Sequence, residues 1–128
     1  MLILCFPQKY SAQLSDSTTV SLITCRPGDE IYNAFGHTAI RIYDPENKVD
    51  WLFNYGMFSF DEPNFLIKFL KGKLEYWLGI EGYRAFANNY SNQRRSVLEQ
   101  KLKLDKDQKS RLFQALRENA RPANRRYL

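Results

Sequence analysis

Histidine occurs once in the sequence, as His37, and cysteine twice, as Cys5 and Cys25. So small a stock of soft ligands excludes a structural zinc site, which needs several Cys or His donors at characteristic spacing. Two isolated cysteines make no disulfide framework, and no metal or other cofactor is implied. No apolar run approaches the roughly 20 residues that cross a bilayer as a helix. Basic residues interleaved with aromatics, the mark of a base-stacking surface, are also missing, so nucleic acid is not an expected partner. The charge is uneven all the same: Arg94 to Leu128 holds 11 Lys/Arg against 4 Asp/Glu, while Met1 to Gln93 holds 8 against 10. A basic C-terminal third could meet phosphates, but the wet faces of a strand and a helix account for it more simply. What is present is a hydrophobic share of 44% and an aromatic share of 15% in 128 residues. That suits one folded domain with a modest core.

The start of the chain stands apart. Leu2 to Phe6 is apolar, and Ser11-Ala12-Gln13 has the small residues of a signal cleavage site. Residues 1–17 therefore read as the remnant of a secretory signal or as a loose tail, ahead of a domain over residues 18–128. Cys5 falls in this leader and is incidental.

Thr18 to Cys25 is β-branched and apolar and predicts a strand that Pro27-Gly28 closes. A short IYNAFG segment follows, then a second strand, HTAIRIYD. Its alternation sends His37, Ala39 and Arg41 to one face and Thr38, Ile40 and Ile42 to the other. Asp44 to Asn47 turns the chain into a third strand over Trp51 to Tyr55, its hairpin partner. Asp61 as N-cap and Pro63 in the first turn predict a helix carrying Phe65, Leu66, Phe69 and Leu70, with Gly72 at its end. Leu74 to Ile80 alternates as a strand, and Gly82 opens a helix with Tyr83, Phe86 and Tyr90 in one stripe. Ser96 to Leu104 alternates again, with Leu98, Leu102 and Leu104 inward. Asp105 and Gln108 make a capping box for a last helix that buries Leu112, Phe113 and Leu116 and ends at Pro122. Strands and helices in this order, without strict βαβ alternation, imply an α+β fold with a mixed or antiparallel sheet and packed helices.

Within this frame His37 holds the chemical interest. It opens a strand straight after Gly36, at a sheet edge, and imidazole is the side chain that titrates near neutral pH without help. Taken by itself, such a histidine is more often packed than catalytic. Cys25 ends the preceding strand and is a rival nucleophile if the two strands pair, although a free cysteine is usually a small buried hydrophobe. Asp29 and Glu30 read as solvent-facing carboxylates. Tyr55, Phe58, Phe60 and Phe65 either line an apolar groove or form ordinary core. Lys68, Lys71 and Lys73 either touch lipid headgroups or form a solvated helix end, which explains them without function.

Three blocks, TCRPGDEIYNAFGHTAIRI, FNYGMFSFDEPNFLIKFLKGKLEYWL and ENARPANRRY, occur in this order and spacing. Together they resemble the N-terminal periplasmic domain of the Lnb-type lipoprotein N-acyltransferases of Gram-negative envelopes, over nearly all of Val20 to Tyr127. The resemblance implies a fold like the circularly permuted papain-type thiol enzymes, with the histidine strand ahead of the cysteine helix. It implies a periplasmic domain, tethered to the inner membrane by spans elsewhere in the full-length protein, with a nucleophile in an Asp-Asn-Cys segment beyond Leu128. The partners implied are a phospholipid acyl donor and the N-terminus of a lipoprotein.

On that reading His37 is the general base. Asn54 and Arg41 are the candidates to orient it, and Arg41, Asn54 and Tyr55 the candidates to touch substrate. This chain alone is then expected to be inactive. Two other readings use the same residues: a non-catalytic envelope module that binds lipid or peptide around His37, and a cysteine peptidase or amidase.

Overall fold

A computed structural model of the chain describes residues 13–27 and 37–128. The leader with Cys5, the IYNAFG segment, and Asp29 with Glu30 lie outside the described residues. The β-branched runs TVSLITC and HTAIRIYD form β1 (Thr19–Cys25) and β2 (His37–Asp44), and VDWLFNYGM forms β3 (Val49–Met57). With β4 (Tyr76–Gly82), β5 (Val97–Lys101) and β6 (Arg126–Tyr127) they make one sheet in the order β5-β1-β2-β3-β4-β6. Every pairing between neighbours is antiparallel.

Period-two alternation divides the apolar residues between the two faces of this sheet. On one face Val20, Ile42, Phe53 and Leu78 are buried against α3 (Lys106–Asn119), which contributes Phe113 and Leu116. The Phe113 ring meets Phe53 edge-on at 6.4 Å between centroids, and losing such a ring from a core costs about 3–5 kcal/mol. On the other face Ile23, Cys25, Ala39 and Leu52 pack with Phe86 of α2 (Tyr83–Asn92). The architecture is therefore α+β: an antiparallel sheet with a helix on each face. α3 begins as the residues predict. Asp105 Oδ1 accepts from the Gln108 N–H at 2.8 Å, and Gln108 Oε1 accepts from the Asp105 N–H at 3.0 Å.

Two elements depart from the sequence expectation. The helix expected from Asp61 shortens to α1 (Phe65–Leu70), entered through Asn64 at φ 57°. Asp61 caps nothing; Asp61 to Asn64 instead form turns, with the Phe65 N–H bonded to the Glu62 carbonyl. Asn64 can hold a left-handed backbone that most residues resist. The second departure is Leu98. It lies on the α3 face, paired with Thr24, but on edge strand β5 beyond the helix's cover, and is 69% exposed. Leu102 and Leu104, past the end of the strand, do pack against the α3-side core.

Packing starts ahead of Thr18. Leu14 is buried in the α3-side core, and Ser15 reaches the β2–β3 hairpin. There the fully buried Asp44 carboxylate accepts from the Ser15 N–H at 2.9 Å, the Ser15 hydroxyl, the Asn47 N–H at 3.3 Å and Asn47 Nδ2 at 2.7 Å. Burial by itself would raise this carboxyl. The bonds from Ser15 and Asn47 outweigh it and hold Asp44 well below the usual carboxylate range.

The sign of the linkage follows from that depressed value. Asp44 stabilises the fold above the unfolded carboxylate pKa of about 4, and the contribution is lost as pH falls below it. Asp44→Ala should cost about 2 kcal/mol at pH 7, read by urea denaturation, and the difference from wild type should shrink on acidification toward about pH 2. A difference that stays constant down to that pH would contradict the assignment.

Candidate functional site

The register of the three central strands places one polar chain on the α2 face. Ala39 of β2 pairs with Asn54 of β3, and Asn54 with Gly79 of β4. His37 lies two residues before Ala39 and Glu81 two residues after Gly79, so the three side chains form a diagonal across β2, β3 and β4. Diagonal neighbours on one face are within reach of long side chains. His37 Nε2 is 2.9 Å from Asn54 Oδ1, and Asn54 Nδ2 donates to Glu81 Oε1 at 2.6 Å.

This arrangement sets the tautomer of the ring. Glu81 takes the amide N–H of Asn54, which turns Oδ1 toward His37. An amide oxygen only accepts, so Nε2 must carry the hydrogen. The neutral imidazole then keeps its lone pair on Nδ1, which has no hydrogen-bond partner among the described residues. Asn54 is almost fully buried while His37 is half-buried. The orienting group is thus enclosed, and the ring keeps one side toward the sheet end. Burial raises the Glu81 carboxyl above its ordinary value, opposed by the Asn54 hydrogen bond and by the charge of His37.

Just past Asn54 the β3–β4 pairing shifts register, and Gly56 takes a left-handed backbone at φ 85°. Glycine adopts that conformation without steric cost. Its N–H donates to the Tyr127 hydroxyl at 2.6 Å, which ties the irregularity to β6.

Cys25 is the direct cross-strand partner of His37, on the same face. Its surroundings do not activate it. The residue is fully buried beneath α2, and that burial pushes the thiol up, with the Tyr90 hydroxyl and the Arg95 guanidinium pulling the other way. Tyr90 is itself pushed up to about 12, by burial first and then by Cys25. Its ring lies tilted against Phe86 at 4.5 Å, under the Arg95 guanidinium, which donates to the Arg26 carbonyl at 2.9 Å. A thiol held this way stays protonated near neutrality.

Of the other residues singled out from sequence, Asn54 joins His37 and two do not. Arg41 shares the face but lies four residues along β2, about 13 Å away. Its guanidinium is engaged by Asp50 at 2.7 and 2.9 Å, by Glu99 at 3.1 Å and by the Tyr83 ring at 3.5 Å. It closes a charge cluster between β2, β3, β5 and α2, and does not orient His37. Tyr55 points to the opposite face, where its hydroxyl accepts from Asn119 Nδ2 at 3.0 Å. Glu81 escaped the sequence reading. The alternation that turns Leu78 and Ile80 to the α3 side leaves Glu81 as the acidic side chain of β4 on the α2 face, and that was the signal available.

The fold and site together define an α+β domain that presents one hydrogen-bonded imidazole at the end of an antiparallel sheet. The chain belongs to the Lnb N-terminal periplasmic domain family, whose model matches residues 7–128. No curated protein and no solved structure gives a match. Among the described residues no helix is long and apolar enough to cross a membrane.

The state of Cys25 is open to a direct check. In a Cys5→Ser background, iodoacetamide should label Cys25 at pH 7 more slowly than an unstructured cysteine, because the side chain is buried and its raised thiol carries less thiolate. His37→Ala should leave that rate unchanged. Fast labelling near pH 6 that slows in His37→Ala would show a working pair instead.

Proposed function

We propose that this domain is the N-terminal part of a periplasmic thiol-dependent acyltransferase that N-acylates lipoproteins, with His37 as general base. The observation that carries the reading is the chain Glu81–Asn54–His37, which holds Nε2 as donor and leaves the lone pair on Nδ1, which has no partner among the described residues. Such a relay is what an imidazole needs to act repeatedly in one geometry. Membership of a periplasmic domain family supports the compartment. The resemblance to the family implies the nucleophile, a cysteine in a segment after Leu128, and the buried, raised thiol of Cys25 supports a position outside the described residues. The fold we assign is the permuted papain-type arrangement, with the histidine strand ahead of the nucleophile.

The steps then follow from acid–base bookkeeping. Nδ1 takes the thiol proton as sulfur attacks the ester carbonyl of a phospholipid. The tetrahedral intermediate collapses to a thioester, and the lyso-lipid alkoxide leaves with the proton from Nδ1. The α-amine of a lipoprotein's N-terminal cysteine next attacks the thioester. Nδ1 removes the amine proton, the amide forms and the thiolate is expelled, to be reprotonated by the imidazolium. Asn54 positions the ring throughout, and Glu81 positions Asn54.

The buried state of Cys25 favours one second reading, an envelope module that binds lipid or peptide without turning it over, since an activated thiol is absent from the described residues.

The test is transfer from phospholipid to a diacyl-lipopeptide, followed by mass spectrometry. This chain alone should form no product. A chain that carries the domain together with a following cysteine-bearing segment should form it, and His37→Ala in that chain should lower the rate by about 10²–10⁴-fold. Asn54→Ala should lower kcat with little change in KM. Full activity in His37→Ala would overturn the reading, as would transfer by this chain alone that Cys25→Ser abolishes.

A further inference from the structure

Helix α1 has no buried residue, although five of its six side chains are apolar. At 100° per residue Leu66, Ile67 and Leu70 fall in a stripe about 100° wide. They are 64%, 54% and 74% exposed. The opposite side of the helix is braced. Phe65 stacks on Phe69 at 6.0 Å and on Phe58 at 5.6 Å, and Phe58 meets Tyr76 at 6.0 Å. Tyr76 in turn stacks on Tyr127 of β6 at 6.1 Å. A run of rings from α1 into the sheet therefore supports the stripe from behind. Three large aliphatic side chains held outward on a firm base are not the scatter expected of an ordinary surface.

The charges around the stripe indicate what covers it. Lys68 is paired with Glu62 at 2.6 Å, and Glu75 with Arg126 at 2.5 Å. Lys71, which borders the stripe on the Ile67 side, and Lys73, just after the helix, have no carboxylate partner among the described residues. Asp61 lies at the far end of the segment. A second copy of the chain related by a twofold would set the same patch against itself, bringing four lysines together without anions to pair them. A lipid surface with anionic headgroups satisfies both features, as it does for short interfacial helices with an apolar face and a basic rim.

We infer that α1 docks this domain on a bilayer surface carrying anionic phospholipid, with Leu66, Ile67 and Leu70 at the acyl boundary and Lys71 and Lys73 among the headgroups. The topology gives the contact a direction. The β3–β4 connection that carries α1 leaves and re-enters the sheet at the end where His37 opens β2. Docking through α1 therefore turns the His37 end of the sheet toward the membrane. The inference names where the phospholipid of the proposed reaction meets the domain, and so rests on that reading. Docking itself involves no transfer chemistry.

The experiment is co-sedimentation of the full chain with vesicles of phosphatidylcholine, with and without phosphatidylglycerol. Wild type should partition onto the anionic vesicles. Leu66→Ser with Leu70→Ser should weaken partition at least about tenfold. Lys71→Gln with Lys73→Gln should weaken it about thirtyfold on anionic vesicles and leave partition onto pure phosphatidylcholine unchanged. These side chains are exposed, so thermal midpoints should match wild type, which separates lost docking from lost folding. His37→Ala should dock normally, so a failed transfer reading and a failed docking reading give different results. Absence of wild-type partition, or partition indifferent to the leucine substitutions, would overturn the inference. Self-association that the leucine substitutions abolish, in place of vesicle binding, would identify a second copy as the occupant and overturn it as well.

Discussion

The hydrogen bond between Asn54 and Glu81 is the constraint on which the site depends. Without it the buried amide of Asn54 has two equivalent settings, and His37 faces either an oxygen or an N–H. With it, one tautomer of the ring is imposed from inside the sheet. The three residues come from three strands and from positions 37, 54 and 81, so their meeting depends on the antiparallel register being kept across the centre of the molecule. A one-residue slip of any of these strands would send its member to the α3 face.

That register is secured by the division of apolar residues between the two faces. α3 covers Val20, Ile42, Phe53 and Leu78, while α2 covers Ile23, Ala39 and Leu52. The polar chain shares the second face, alongside the Arg41 cluster of Asp50, Glu99 and Tyr83. Asp44 closes the β2–β3 hairpin from its far end and joins it to Ser15. Cys25 and Tyr90 fill the space under α2 beside the site. Their raised values fit packing groups and not reacting ones.

Much of this was legible in the residues because local signals and burial agree. Alternation in HTAIRIYD predicts a strand whose two faces are those observed. The Asp105–Gln108 spacing predicts the α3 cap, and the pairing of Cys25 with His37 follows once β1 and β2 are neighbours. Other features depend on tertiary context. The sequence places Asn54 and Arg41 equally near His37, and only the β2–β3 register and the carboxylates around Arg41 separate them. Glu81 is distant in sequence and reaches the site through strand pairing. The apolar residues of α1 have the spacing of a core helix but face outward, because Asn64 starts the helix late and the aromatic stack occupies its inner side. Leu98 alternates correctly yet stays uncovered, since edge strand β5 extends beyond α3.

The central claim is that the sheet presents His37 with its proton on Nε2 and its lone pair on Nδ1. The most direct measurement is a long-range ¹⁵N–¹H correlation spectrum of the chain labelled in its single histidine, recorded at a pH where the ring is neutral. The account predicts a protonated Nε2 and an unprotonated Nδ1 in wild type, and a tautomer mixture both in Asn54→Ala and in Glu81→Gln, whose amide can donate as well as accept. A wild-type ring protonated on Nδ1, or one indifferent to Asn54→Ala, would contradict it.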